Sequence, residues 1–147
     1  MTENTNKLEQ LLKDGLEYVI QSSELELSQK ESAEKWSKKE ILGHLIDSGI
    51  NNLQRFTEIQ FERKPYQVRK YNQEELVKAN DYQNSDIKGI VDFWTSINIR
   101  ILNLMKAQTE KSLNYKIVLD KNHFSNLRFL MVDYVEHLEH HLRQIMK

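Results

Sequence analysis

A single proline, Pro65, interrupts this chain of 147 residues, and only four glycines accompany it. Residues that break or bend the backbone are so scarce that long helices are the natural outcome, and the abundance of Leu, Glu, Lys, Gln and Ile points the same way. Four segments carry the three-and-four spacing of an amphipathic helix. The first runs from about Asn4 to Gln21, with a stripe of Leu8, Leu11, Leu12, Leu16, Val19 and Ile20. The second has the clearest beginning. In "WSKKEI", Ser37 is an N-cap and Glu40, three residues on, completes a capping box; Trp36 and Ile41 are spaced to close a hydrophobic staple around it. This helix is expected to run to about Phe61, apolar over more than half its circumference, and so to lie at the centre of the fold. A third spans about Asp86 to Thr109, and a fourth starts near Ser125 and runs almost to the end.

Between the second and third helices lies a connection of about twenty-five residues, far beyond a tight helical hairpin. It holds Pro65 and three tyrosines, Tyr66, Tyr71 and Tyr82, and Asn72 with Glu75 is placed to cap a short helix inside it. Tyr115–Leu119 reads as a short strand before a turn at Asp120-Lys121-Asn122. Four helices of roughly 20 residues, each ~30 Å long, suit an all-α four-helix bundle in one domain, residues 1–147. The long connection is a crossover that lets the second and third helices run parallel.

Composition excludes several classes of function. With 21 Lys+Arg against 22 Asp+Glu, the chain lacks the positive excess that phosphate neutralisation requires, so nucleic acid is not an expected partner. Basic pairs at Arg63-Lys64 and Arg69-Lys70 are surrounded by acidic residues. There is no cysteine, which removes disulfides, thiolate catalysis and cysteine zinc sites. No stretch approaches 18 apolar residues and no signal-peptide pattern opens the chain, so a cytoplasmic protein with no membrane partner is expected.

The chemistry gathers in "EHLEHHLRQI", Glu136–Ile145, which holds three of the five histidines. On a helical wheel His137 and His141 fall at the edge of the buried stripe formed by Leu127, Leu130, Tyr134, Leu138 and Ile145. Their i, i+4 spacing stacks both imidazoles on one face, as a shared metal ion requires, while His140 points well away. On the second helix His44 lies at the margin of its apolar face, followed on that side by Ser48, Asn51 and Arg55. A histidine at a core margin is most often a packing residue. Three of them aimed at one interior are costly to bury without a common partner, and a divalent cation is the simplest one.

These residues also carry a resemblance. "KWSKKEILGHLIDSGINNLQRF" (Lys35–Phe56) and "DYVEHLEHHLRQI" (Asp133–Ile145), with the Pro-Tyr and Tyr-x-Gln segment in Lys64–Gln83, resemble the DinB/YfiT-like superfamily of metalloenzymes over nearly the whole chain. The resemblance implies a four-helix bundle of atypical helix order. It also implies one divalent metal, nickel or zinc, held by His44, His137 and His141 and completed by water. Family members are often homodimers. Their known chemistries include S-transfer from a low-molecular-weight thiol such as bacillithiol and a thiol-dependent isomerisation; others are hydrolases.

From this follows the expectation of a metal-dependent transferase or hydrolase in which the metal activates thiol or water. Asp47, one turn after His44, is a candidate to orient a ligand or bound water, against the alternative of an exposed helix carboxylate. Gln144 is a candidate to hydrogen-bond an imidazole. Arg55 is a candidate for an anionic group, with a surface ion pair as the competing role. Tyr66 and Tyr71 form either a lid or plain packing, and Tyr134 is read as a core aromatic. The alternatives are a non-enzymatic, stress-associated metal-binding bundle and a helical interaction domain with no metal at all.

Overall fold

The computed structural model describes every residue from Met1 to Lys147. Four long helices dominate it: α1 (Thr2–Gln21), α3 (Lys38–Glu58), α5 (Ile87–Lys106) and α7 (Leu127–Ile145). Shorter elements fill the connections. These are α2 (Glu24–Ser28), β1 (Tyr66–Gln67), α4 (Gln73–Asn80), a 3₁₀ turn at Tyr82–Asn84, α6 (Glu110–Leu113), β2 (Lys116–Asp120) and β3 (His123–Asn126).

The helices start where the sequence provides oxygen caps for their free backbone N–H groups. Ser37 and Glu40 form the full capping box of α3. Asn72 accepts from Glu75 N at the start of α4, Asp86 from Gly89 N at α5, and Asn126 from Phe129 N at α7. Helix α3 stops at Glu58, three residues before the expected end, and its last carbonyls pass into tighter turns through Glu62.

Contacts along the helices fix their directions. Gly49 faces Ile97, and eleven residues further along both helices Gln60 bonds Gln108, so α3 and α5 run parallel. His44 meets His141 while Phe56 meets Tyr134, so α3 and α7 are antiparallel. Gly15 packs on Trp94 while Glu9 pairs with Lys106, which sets α1 antiparallel to α5. Two parallel neighbours cannot be joined by a short turn, and Ile59–Asp86 is the crossover that joins them.

The sequence reading anticipated one strand, and the structure has three. β2 pairs antiparallel with β3 through a two-residue loop, Lys121-Asn122, both at positive φ as such hairpins demand. β2 also pairs in parallel with β1 inside the crossover, with Tyr66 opposite Ile117. The small sheet therefore straps the first part of the crossover to the α5–α7 connection. β1 is two residues long and β3 reads "HFSN", too short and too polar for period-two alternation to reveal them.

α3 lies at the centre, packed against α2, α4, α5 and α7. Leu42, Leu45, Ile46 and Phe56 are essentially inaccessible to solvent, each contributing about 1.5–3 kcal/mol by burial. The second part of the crossover is seated on this helix by two neighbouring residues. Tyr82 lies flat over Gly43, where a Cβ atom would come within 2.1 Å of its ring, and its hydroxyl donates to Asp47 Oδ1 at 2.5 Å. Gln83 accepts from the Ser37 hydroxyl at 2.5 Å and donates to the Ser28 carbonyl at 2.7 Å. Lys39, almost wholly buried, pairs with Glu24 at 2.5 Å and draws α2 onto the same helix.

Two glycines on helices should respond in opposite ways. Gly43→Ala must push the Tyr82 ring aside and should cost about 1–3 kcal/mol in urea unfolding. Gly89→Ala has open space around it and should be neutral or stabilising by roughly 0.5 kcal/mol. Equal effects at the two positions would contradict the seating of Tyr82.

Candidate metal centre

His44 sits in the second turn of α3, the helix whose start is fixed by the capping box and whose adjacent face is fixed by Tyr82 on Gly43. His137 and His141 sit one turn apart on α7, between the buried Leu138 and Leu142 rows. Because α3 and α7 are antiparallel and in contact, the three imidazoles converge. Their ring centroids lie 5.1 Å (His44–His137), 4.7 Å (His44–His141) and 4.6 Å (His137–His141) apart, all edge to face. One nitrogen from each falls within 4.8 Å of the others, a group that could hold a metal ion.

The donor set fits such an ion. His44 Nε2 and His137 Nε2 are 3.2 Å apart, close to the ~3.3 Å edge of a tetrahedron with metal–nitrogen bonds of about 2.0–2.1 Å. Two imidazole nitrogens facing each other so closely need a proton or a cation between them. Three neutral nitrogens without carboxylate or thiolate suit zinc, nickel or copper and suit calcium or magnesium poorly.

The surroundings position the rings. Gln144 Oε1 lies 2.8 Å from His141 Nδ1, so that nitrogen carries the proton and Nε2 keeps its lone pair. Trp36 lies against His44, ring centroids 5.0 Å apart and tilted by 34°. His44 is fully buried, while His137 and His141 are partly accessible. His141 and Gln144 help to line a cleft of about 720 Å³ whose other walls include Trp36, Ile41 and Glu74. Access is therefore from the side of α7 and the α2–α3 connection.

Of the residues singled out in the sequence, the structure brings together His44, His137, His141 and Gln144. His140 is exposed, its ring beside that of His141 on the outer side. Asp47 is not the exposed carboxylate that was the alternative reading: it is 2% exposed. Its Oδ1 accepts from Tyr82 and, at 3.1 Å, from Asn80, its Oδ2 has no partner, and it bonds to none of the imidazoles. Burial raises its pKa above the usual carboxylate range, with the Tyr82 and Asn80 bonds opposing. Tyr134 is a core residue, donating to Asn98 Oδ1 at 2.6 Å. Tyr66 is buried with its hydroxyl on Glu58, and Tyr71 packs beneath Arg55; both are packing residues rather than a lid.

Sequence reasoning missed Trp36 as a wall of the site, reading it as half of a staple with Ile41. It also missed Tyr82 and Asn80 as the partners of Asp47. Gly43 was the available signal, since glycine inside a helix costs stability and marks a close approach.

The sequence profile of the DinB superfamily matches residues 3–145. Compared by sequence with curated proteins, the chain has no match. Among solved structures it is similar to YfiT from Bacillus subtilis, described as a probable metal-dependent hydrolase with an unusual four-helix bundle topology. That similarity has a TM-score of 0.80 at 21% identity, over 99% of this chain and 85% of that one. It is also similar to a mycothiol-dependent maleylpyruvate isomerase, with a TM-score of 0.74 at 10% identity over 98% of this chain. The chain spans 60% of the isomerase's length. At these identities the likeness is one of fold. No helix here is long and apolar enough to cross a membrane.

Burial first, and the neighbouring imidazoles second, depress the pKa of His44 to about 3 and that of His137 to about 4, from 6.5. His141 is lowered too, chiefly by burial. The folded state thus prefers neutral rings, and the unfolded chain binds more protons between pH 6.5 and 4. The stability these rings contribute is complete above about pH 6.5 and is lost as pH falls towards their folded values. In chelator-treated protein the melting temperature should fall steeply over that window. His44→Ala should flatten the slope even though it lowers the starting value; an unchanged slope would contradict the assignment.

Proposed function

The chain belongs to the DinB superfamily, and we propose that it is a metal-dependent enzyme whose single divalent ion is held by His44, His137 and His141. The observation that carries this reading is the convergence of three imidazole nitrogens, from two antiparallel helices, within 4.8 Å of one another. Three protein ligands leave a position open, the arrangement of catalytic rather than structural zinc.

When bound, the metal lowers the pKa of a thiol or water at that position and makes a nucleophile near neutral pH. The rest falls to this chain's own residues. Gln144 holds the His141 ring with its proton on Nδ1. Trp36 packs against His44 and forms an apolar wall of the cleft through which a substrate reaches the open position. Asp47 contributes as a positioning residue, through the bonds with which it holds Tyr82 and Asn80 against α3.

The reaction class we favour is S-transfer from a low-molecular-weight thiol of the bacillithiol type, with metal-dependent hydrolysis as the related possibility. The mycothiol dependence of the similar isomerase and the hydrolase description of YfiT support testing these two first. Nickel and zinc, the ions that the family resemblance implies, are compatible with the donor chemistry and are the ones to test first. Homodimer formation belongs to the same reading and is checked by sedimentation. The competing reading is a metal-binding bundle without activity. An open site should lose activity on chelation before it loses its fold, whereas a structural one should unfold.

Elemental analysis should find about one nickel or zinc per chain in the purified protein and in His140→Ala, and none in His137→Ala. Equal metal in the wild type and His137→Ala, or none in either, would overturn the proposal. Metal-loaded protein should then consume a thiol in the presence of a halobimane or chloroaromatic electrophile, and His44→Ala should not.

A further inference from the structure

A second concave site lies at the other end of α3. Arg55 is eleven residues C-terminal to His44, about 16 Å along the helix, and its half-buried guanidinium opens into a cleft of about 570 Å³. The far wall of that cleft is the crossover segment around β1, from Tyr66 to Tyr71.

The guanidinium is held in place without being neutralised. One Nη2–H donates to the Arg69 carbonyl and Nη1 makes a long contact of 3.4 Å with Asn52 Oδ1. Tyr71 supports its plane, with the ring centroid 5.3 Å from Cζ. No carboxylate comes within ion-pair distance, although Asp133 on α7 attracts it from further off. The surface ion pair weighed for Arg55 in the sequence is therefore absent. Three of its five N–H donors have no acceptor in the protein, and burial makes its charge costly. Lys70 on the rim is already paired with Asp120 at 3.2 Å, and Arg69, also on the rim, is an exposed cation, so Arg55 is the half-buried cation of the cleft that lacks a counter-ion.

We propose that the cleft between α3 and the Tyr66–Tyr71 segment of the crossover is a binding site for a small monocarboxylate, with Arg55 as its anchor and Tyr71 as its floor. Arg55 Cζ lies over the Tyr71 ring, and the planar fork of a guanidinium matches the two oxygens of a carboxylate. Charge separates this ligand from a phosphate dianion. Glu58 and Glu62 line the same cleft, and Glu58 is only partly occupied by the Tyr66 hydroxyl at 2.9 Å. A dianion would meet their repulsion twice over. The site is separate from the histidine cluster and does not depend on whether that cluster binds metal.

Acetate, propionate and inorganic phosphate are titrated into the purified protein at matched ionic strength, before and after an uncharged phenanthroline chelator, and followed by thermal shift and by amide NMR. Saturable binding of acetate or propionate is expected, surviving chelation, with the largest shifts at Asn52 and Arg69–Tyr71. Arg55→Gln should weaken it about ten- to a hundredfold, and Lys88→Gln, on an exposed ion pair, should leave it unchanged. If Arg55→Gln does not fold, Tyr71→Leu and the wild-type shift map carry the test. The proposal is overturned by no saturable binding, by tighter binding of phosphate, by binding that disappears on chelation, or by shifts centred on His44, His137 and His141.

Discussion

The fold depends on how the crossover is seated on α3, and that seating rests on Tyr82. Its ring occupies the space that a side chain at Gly43 would fill, and its hydroxyl meets the buried Asp47 one turn further on. Aromatic burial and a charge-assisted hydrogen bond act here on the same residue. Gln83, next in sequence, links the Ser37 cap to the end of α2. Two adjacent crossover residues therefore hold the beginning and the middle of the central helix. Without them, a connection of nearly thirty residues between parallel helices would have little to fix its path.

The histidine cluster inherits its precision from that arrangement. His44 follows Gly43 directly, so the residue that admits Tyr82 and the residue that faces α7 are neighbours on a rigid helix. Rings placed this way pay for no further ordering when they take up an ion, which is the physical meaning of a preorganised site. The same burial that orders His44 keeps it neutral, leaving a nitrogen lone pair free at ordinary pH. Apart from one another, the three rings have one side-chain hydrogen-bond partner, Gln144 on His141, and His44 Nδ1 has none.

Asp47 and Arg55 show how polar groups elsewhere on α3 are used. Asp47 is buried and bonded to the crossover, and Arg55 is half-buried and bonded to it at the opposite end. Both fasten the crossover to the central helix, and each has unused hydrogen-bonding capacity. The shared fold with YfiT and the isomerase fixes none of this, since a bundle can hold many chemistries and function follows from the particular site.

By itself the sequence determined the four long helices, the caps at Ser37 and Asn72, the buried stripe of α7, the long crossover and the three inward histidines. These are local or periodic properties: a cap is a matter of three residues, and a helical face follows from a repeat of 3.6. The outward direction of His140 and the bond between Gln144 and His141 were legible for the same reason. Tertiary structure alone decided what spans elements distant in the chain. It paired β1 with β2 across fifty residues, placed Trp36 against His44, buried Asp47 under Tyr82 and Asn80, and left Arg55 without an ion pair. None of these leaves a periodic trace, because each is settled by which surfaces meet once the helices have packed.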